Sequence, residues 1–232
     1  MQNLRTALRR PPTLPIRFVL LSQPRTGSSL LNTSLRQHPD IHMEREILNH
    51  GQQHDLPQEG DQRLRSALAR TDVHAVGCNL HAFQPDRQWK GWSRWESAWQ
   101  ALADDPAIRV IHLQRLDVLA QLASWKMASL LNRWGNQTDI VERPTLRIDP
   151  EEYRWFRDWN QAVYHGRLSH LRQHRILPVT YEALRDDWDL TIQRVQHFLE
   201  VKPLPLKQMA TRNETRPLET VIENWSQLPH LS

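Results

Sequence analysis

The run IRFVLLSQPRTGSSLL, residues 16–31, constrains the fold more than any other stretch. Ile16–Ser22 is a compact apolar run, as expected for a strand buried on both faces. It stops at Pro24, and leucines at helical spacing follow from Ser28. Three further compact runs read the same way: Val73–Leu80 (VHAVGCNL), Ile108–Leu113 (IRVIHL) and Arg175–Thr180 (RILPVT). Helical patterns separate them at Ser28–Gln37, Asp61–Ala69, Ser93–Ala103, Asp117–Leu131, Pro150–Gln173 and Trp188–Leu199. Strands alternating with helices predict βαβ units with right-handed crossovers. The expected fold is α/β: three layers, P-loop-like, with a central mainly parallel sheet flanked by helices. Ligands of such folds bind beyond the carboxyl ends of the strands, where SQPRTGSS lies.

That loop has the chemistry of an oxyanion cradle. Backbone N–H groups and the helix dipole face the space before the helix. Gly27 lets a ligand approach the backbone. Thr26, Ser28 and Ser29 supply hydroxyls, and Arg25 supplies a forked cation suited to phosphate or sulfate. The competing reading is an ordinary capped helix start. A Walker A loop is excluded, because no lysine follows the glycine. The pattern G-x-S-x-G is also absent. Further on, Arg115 stands at a strand end and Ser124 nine residues later in a helix. Both reach one anion if that helix folds back over the strand end. The alternatives are a solvated Arg115 paired with Asp117, and Ser124 as a small packing residue.

Length and composition narrow the rest. The 232 residues, 39% apolar and 24% charged, suit a globular chain rather than a disordered one. A net charge of +4 suits an anionic ligand. The single cysteine, Cys78, excludes an internal disulfide and a cysteine-based zinc site, and it fits a reducing, cytoplasmic compartment. Residues 1–14 read as a flexible basic arm, and residues 15–232 as a single domain. No apolar run reaches the roughly 18–20 residues of a membrane span. His50 and His54 stand four apart, but in a poor helical context with no third ligand, so no metal is expected. Trp92, Trp95 and Trp99 share one helix face. Core packing is the simpler account of them, and with Trp89 an acceptor groove is the sharper one.

Taken together, these segments resemble the sulfotransferase family, in particular the bacterial carbohydrate sulfotransferases of the Nod-factor and glycolipid type. QPRTGSSLL resembles the family's 5′-phosphosulfate loop, and VIHLQRLDVLAQLASWKMA its 3′-phosphate segment. HPDIHMEREIL, VTYEAL with the helix ending in FLEV, and RNETRPLETVIENW match later family blocks in order. The resemblance covers Ile16 to Leu228. It implies sulfuryl transfer from 3′-phosphoadenosine 5′-phosphosulfate (PAPS) to a hydroxyl of a carbohydrate or glycolipid, leaving 3′,5′-adenosine bisphosphate (PAP). On that footing Arg25, Thr26, Gly27, Ser28 and Ser29 hold the 5′-phosphosulfate, with Arg25 supporting the leaving phosphate. Arg115 and Ser124 clamp the 3′-phosphate, Arg212 adds to that site, and Tyr181 stands near the adenine. Glu46 is the general base, and no metal is required.

Two departures are visible. Asn79 stands where many relatives have a lysine, so another donor, His81, is expected to serve. Arg45 replaces the glycine before Glu46, and His42 and Glu44 lie close, so that MERE also reads as a solvated loop. A nucleic-acid-binding module, or a relative that binds the nucleotide without turnover, are the alternatives. No nucleic-acid motif supports the first, and basic residues are interleaved with acidic ones.

Overall fold

The structure, a computed structural model, describes residues 14–49, 59–85, 92–134, 143–209 and 216–228. Its strands are β1 (Ile16–Ser22), β2 (Ile41–Glu46), β3 (Ala75–His81), β4 (Arg109–Gln114) and β5 (Ile176–Thr180). They form one sheet of order β2-β3-β1-β4-β5, and every pairing is parallel. The principal helices are α1 (Ser28–Leu35), α2 (Gly60–Ala67), α3 (Ser93–Ala103), α4 (Val118–Leu130), α5 (Pro150–Ser169), α6 (Tyr181–Asp186) and α7 (Trp188–Phe198), with a short α8 (Leu218–Val221) near the end.

The uninterrupted apolar run of β1 is explained by cover on both faces. Phe18 and Leu20 pack with Leu31 and Leu35 of α1 and with Ile192 and Val195 of α7. Val19 and Leu21 point the other way, onto Leu64 of α2 and Trp95, Trp99 and Leu102 of α3. The expected three layers follow. A third cluster joins Leu122 and Met127 of α4 to Tyr153 and Phe156 of α5 and to Val221 and Ile222. Gly77 of β3 is opposite Phe18 in register, and a Cβ there would lie 2.4 Å from Phe18 Cζ. The ring occupies the space a side chain would need.

The chain runs outward from β1 to β2, returns to β3, then passes β1 to reach β4. Helices α1 and α3 leave to opposite faces, so a crevice opens at the carboxyl end of β1.

Two expectations are corrected. Residues 43–46 are not a solvated loop but the end of β2, an edge strand whose Ile41 and Met43 are buried and whose Glu44 and Arg45 are exposed. Charged residues on an edge strand block further pairing, and they hid the strand from its composition. Helix α6 also starts directly at the end of β5, where only a single later helix was expected. Among the described residues no helix is long and apolar enough to cross a membrane.

Candidate active site

The loop between β1 and α1 is held from below. Thr26 Oγ1 donates to the Gln23 carbonyl at 2.7 Å, and Gln121 Nε2 of α4 donates to the Pro24 carbonyl at 2.9 Å. Thr26 is fully buried, so its hydroxyl shapes the loop from inside. Arg25 and Gly27 both take the left-handed conformation, at φ 65° and 90°. Such turns direct neighbouring N–H groups to one side, and a non-glycine residue there is uncommon. The first helical bond of α1 runs from Leu31 N–H to the Gly27 carbonyl at 3.0 Å. The amides of Ser28, Ser29 and Leu30 therefore have no helical acceptor. No side chain caps this end and no acidic residue stands in its first turn. The ordinary capped start is not what this chain builds.

Four of the sequence-predicted residues meet above that loop. Arg25 Nε donates to Ser124 Oγ at 2.9 Å, and Arg115 Nη1 donates to the Arg25 carbonyl at 3.3 Å. The Arg115 guanidinium lies 4.5 Å from the centroid of the Tyr181 ring, a cation–π contact. The same ring closes on Gly27, where a Cβ would stand 2.9 Å from Tyr181 Cδ2. Asp117 does not pair with Arg115 as the bland reading had it; its carboxylate caps α4 by accepting from Ala120 N–H at 2.8 Å. Glu182 fixes the same turn, accepting from the Leu116 and Asp117 amides at 3.1 and 3.2 Å.

The electrostatics are those of a site short of negative charge. Burial lowers the pKa of Arg25, and the charges of Arg115 and Arg143 lower it further. Burial likewise depresses Arg115, against the pull of Tyr181, Asp117 and Glu182. Arg115 Nε is buried with no hydrogen-bond partner among the described residues. Buried donors are normally satisfied, so a bound anion is the natural acceptor. Arg143 belongs to no motif and was missed by sequence reasoning.

A second group sits at the ends of β2 and β3. Glu46 Oε1 is 2.9 Å from His81 Nε2, and Asn49 Nδ2 donates to Glu46 Oε2 at 3.0 Å. Ser22 Oγ donates to Asn79 Oδ1 at 3.0 Å and lies 3.0 Å from His81 Nδ1. Sheet register makes this cluster, since Ser22 pairs with His81 and Glu46 with Asn79. Burial by itself would raise the Glu46 carboxyl. The His81 charge and hydrogen bonds from His81, Asn49 and Gln84 overcome that and hold it below its ordinary value. An ionised, half-buried carboxylate oriented by an imidazole can accept a proton.

No protein-family model matches the chain. Two proteins named nodulation protein H match it, both from Rhizobium meliloti. One, from strain 1021, is 25% identical across 93% of this chain and 91% of its own length. The other is 26% identical across the same shares. A solved sulfotransferase from Alicyclobacillus acidocaldarius superposes with a TM-score of 0.52 at 14% identity, covering 86% of each chain. This chain has the sulfotransferase fold. The resemblance drawn from its motifs stands, and it spans nearly the whole sequence.

Within that sulfotransferase fold the remaining candidates separate. Ser28 is buried and Ser29 exposed, both in the first turn of α1. Arg212, Trp89, His50 and His54, and residues 1–13 of the basic arm, lie outside the described residues. Trp95 and Trp99 are buried beneath the sheet, where Trp99 Nε1 donates to the Gln84 carbonyl at 2.6 Å. Their shared face is core, as the simpler account held. Trp125, directly after Ser124, packs on Phe156 with centroids 5.1 Å apart. Among the described residues no group of three or more His, Cys, Asp or Glu side chains is placed to hold a metal ion.

Proposed function

We propose that this protein is a PAPS-dependent sulfotransferase acting on a hydroxyl of a carbohydrate or glycolipid. The observation that carries the reading is the pair Arg25 and Arg115, held together over an uncapped helix start with the Arg115 Nε donor unsatisfied. Two neighbouring sets of donors support a nucleotide with phosphates at two positions. The amides of Ser28 and Ser29, the Gly27 backbone and Arg25 face a 5′-phosphosulfate, while Arg115 and Ser124 reach a 3′-phosphate. Gly27 and Ser124 adjoin Tyr181 and Arg25 respectively, so the two phosphate segments are contiguous.

Bound PAPS supplies the sulfuryl group and a phosphate leaving group. The acceptor oxygen forms a bond to sulfur as the bond from sulfur to the 5′-phosphate oxygen breaks, and the acceptor proton passes to Glu46. Arg25 and the loop amides neutralise charge on the departing phosphate. His81 orients Glu46 and serves as the donor in place of the lysine that many relatives have at the position of Asn79. The carbohydrate or glycolipid class follows the resemblance, with nodulation protein H as the named relative. The single buried Cys78 suits a reducing, cytoplasmic setting, and we treat residues 15–232 as one domain.

The test is thermal stability with PAP, with ATP and Mg²⁺ as control. At about 100 times its dissociation constant a ligand adds about 2.7 kcal/mol, which is roughly 5–11 °C for a chain of this size. The shift should appear with PAP and disappear in Arg115→Ala. A shift with ATP and Mg²⁺ alone would point to a phosphotransferase. No shift with either, in a folded sample, would leave a binding module as the better reading.

A further inference from the structure

An aromatic row begins at the Glu46–His81 pair and runs out to the surface. The His81 and Phe83 rings are 6.0 Å apart and nearly parallel, with 24° between their planes. Phe83 is 6.0 Å from Trp159 of α5. Trp159 lies 5.8 Å from Trp155 at 12°, and 6.0 Å from Trp125 of α4 at 18°. Phe83 is tilted at 54° to Trp159, and the other three pairs are stacked. Trp155, at the far end, is 59% exposed. The large tryptophans of α3 were spent on the core; these belong to a different surface.

We infer that this row is the acceptor subsite, and that it takes a chain of sugar rings laid along it with the reacting hydroxyl at Glu46. The inference rests on the sulfuryl-transfer reading above and names its acceptor. Three observations support it. The row is continuous with the carboxylate that must reach the acceptor hydroxyl. Its outer indole is exposed, which costs hydrophobic free energy unless a ligand covers it. A charged pair adjoins it: Lys126, next to Trp125 in the chain, has its Nζ 2.6 and 2.9 Å from the carboxylate of Glu152, one turn before Trp155 on α5. Apolar ring faces beside charged hydrogen-bonding groups match a pyranose, which has C–H faces and an equator of hydroxyls. An acyl chain would gain nothing from those groups.

The experiment is a tryptophan-fluorescence titration of the PAP-bound protein with cellohexaose, maltohexaose and chitohexaose, and with the matching disaccharides. At least one hexamer should shift the emission, and it should bind more tightly than its disaccharide. Trp155→Ala should weaken that hexamer about fivefold to tenfold, leave the disaccharide unchanged, and keep the PAP-induced melting shift. The exposed position makes misfolding of this variant easy to exclude by its melting temperature. A normal PAP shift with no response to any hexamer, or with Trp155→Ala binding hexamers as the wild type does, overturns the row alone. A saccharide response in a protein that PAP does not stabilise keeps the row as a sugar site and removes the transfer reading.

Discussion

At Gly27 two demands coincide: a backbone at φ 90°, and a Tyr181 ring 2.9 Å from where a Cβ would stand. The left-handed conformation alone costs an L-residue about 1–2 kcal/mol, and the ring must move as well. Gly27→Ala should therefore destabilise by about 1–3 kcal/mol and weaken PAP binding, both readable in one melting series. A variant as stable as wild type would mean that the turn relaxes freely. Glu46→Gln keeps the shape but removes the proposed proton acceptor, so turnover should fall by about 10²–10⁴-fold with PAP binding unchanged; an active variant would move the base elsewhere. Because the carboxyl is held below its ordinary value of 4.5, it stays ionised on the acid side of that pH. That Arg25, Arg115 and Ser124 meet was legible from a loop and a strand end beneath one helix, and Tyr181 joined them through the family resemblance. Arg143 was not, since no local pattern marks it. The bond between Glu46 and His81 was not either, because it depends on a register shift between Met43 and Glu46.

At the level of elements, β3 packs against β1 through an absence. Phe18 fills the site opposite Gly77, with three of its ring carbons 2.4 to 2.6 Å from a Cβ added there. Gly77→Ala forces the ring or the strand aside, and overpacking of this kind costs about 1–3 kcal/mol. For a chain of this size that lowers the melting temperature by roughly 2–12 °C, measurable by calorimetry. An unchanged melting temperature would show that the Phe18 ring has a second place to go. The internal strands β1, β3 and β4 were readable as apolar runs because both of their faces are covered, and β5, at the other edge, was readable as the short run RILPVT. The edge strand β2 was not, since only Ile41 and Met43 of its six residues are buried apolar side chains. Helix α3 was legible to the residue, its tryptophans spaced to fall on one buried face.

Across the whole molecule, acid should be destabilising. Burial on β4, with the ring edge against Tyr164, pushes His112 down to about 4. An unfolded chain takes up this proton near 6.5. Between those values the unfolded state binds more protons than the folded one, so stability falls as pH falls. The loss is about 3 kcal/mol when the window has been crossed. Glu46, whose pKa is also lowered, adds a further loss as pH drops below 4.5. Urea unfolding at pH 7 and pH 4.5 should show the decline, and His112→Gln should show less of it. Equal declines in the two proteins would remove His112 as the cause.

The proposed phosphate cradle is stitched from segments far apart in the chain: Arg25 early, Ser124 past the middle and Tyr181 beyond the last strand. A nascent chain on the ribosome therefore carries its most conspicuous motif early and can do nothing with it. Until β5 and α6 have emerged, Gly27 has no ring against it and Arg115 nothing to stack on. Contacts of such long sequence separation form late, so nucleotide capture reports that the sheet has been built through β5 and that α6 has docked on the loop. A chain cut short before Tyr181 should be silent toward PAP however well its first βαβ unit has formed.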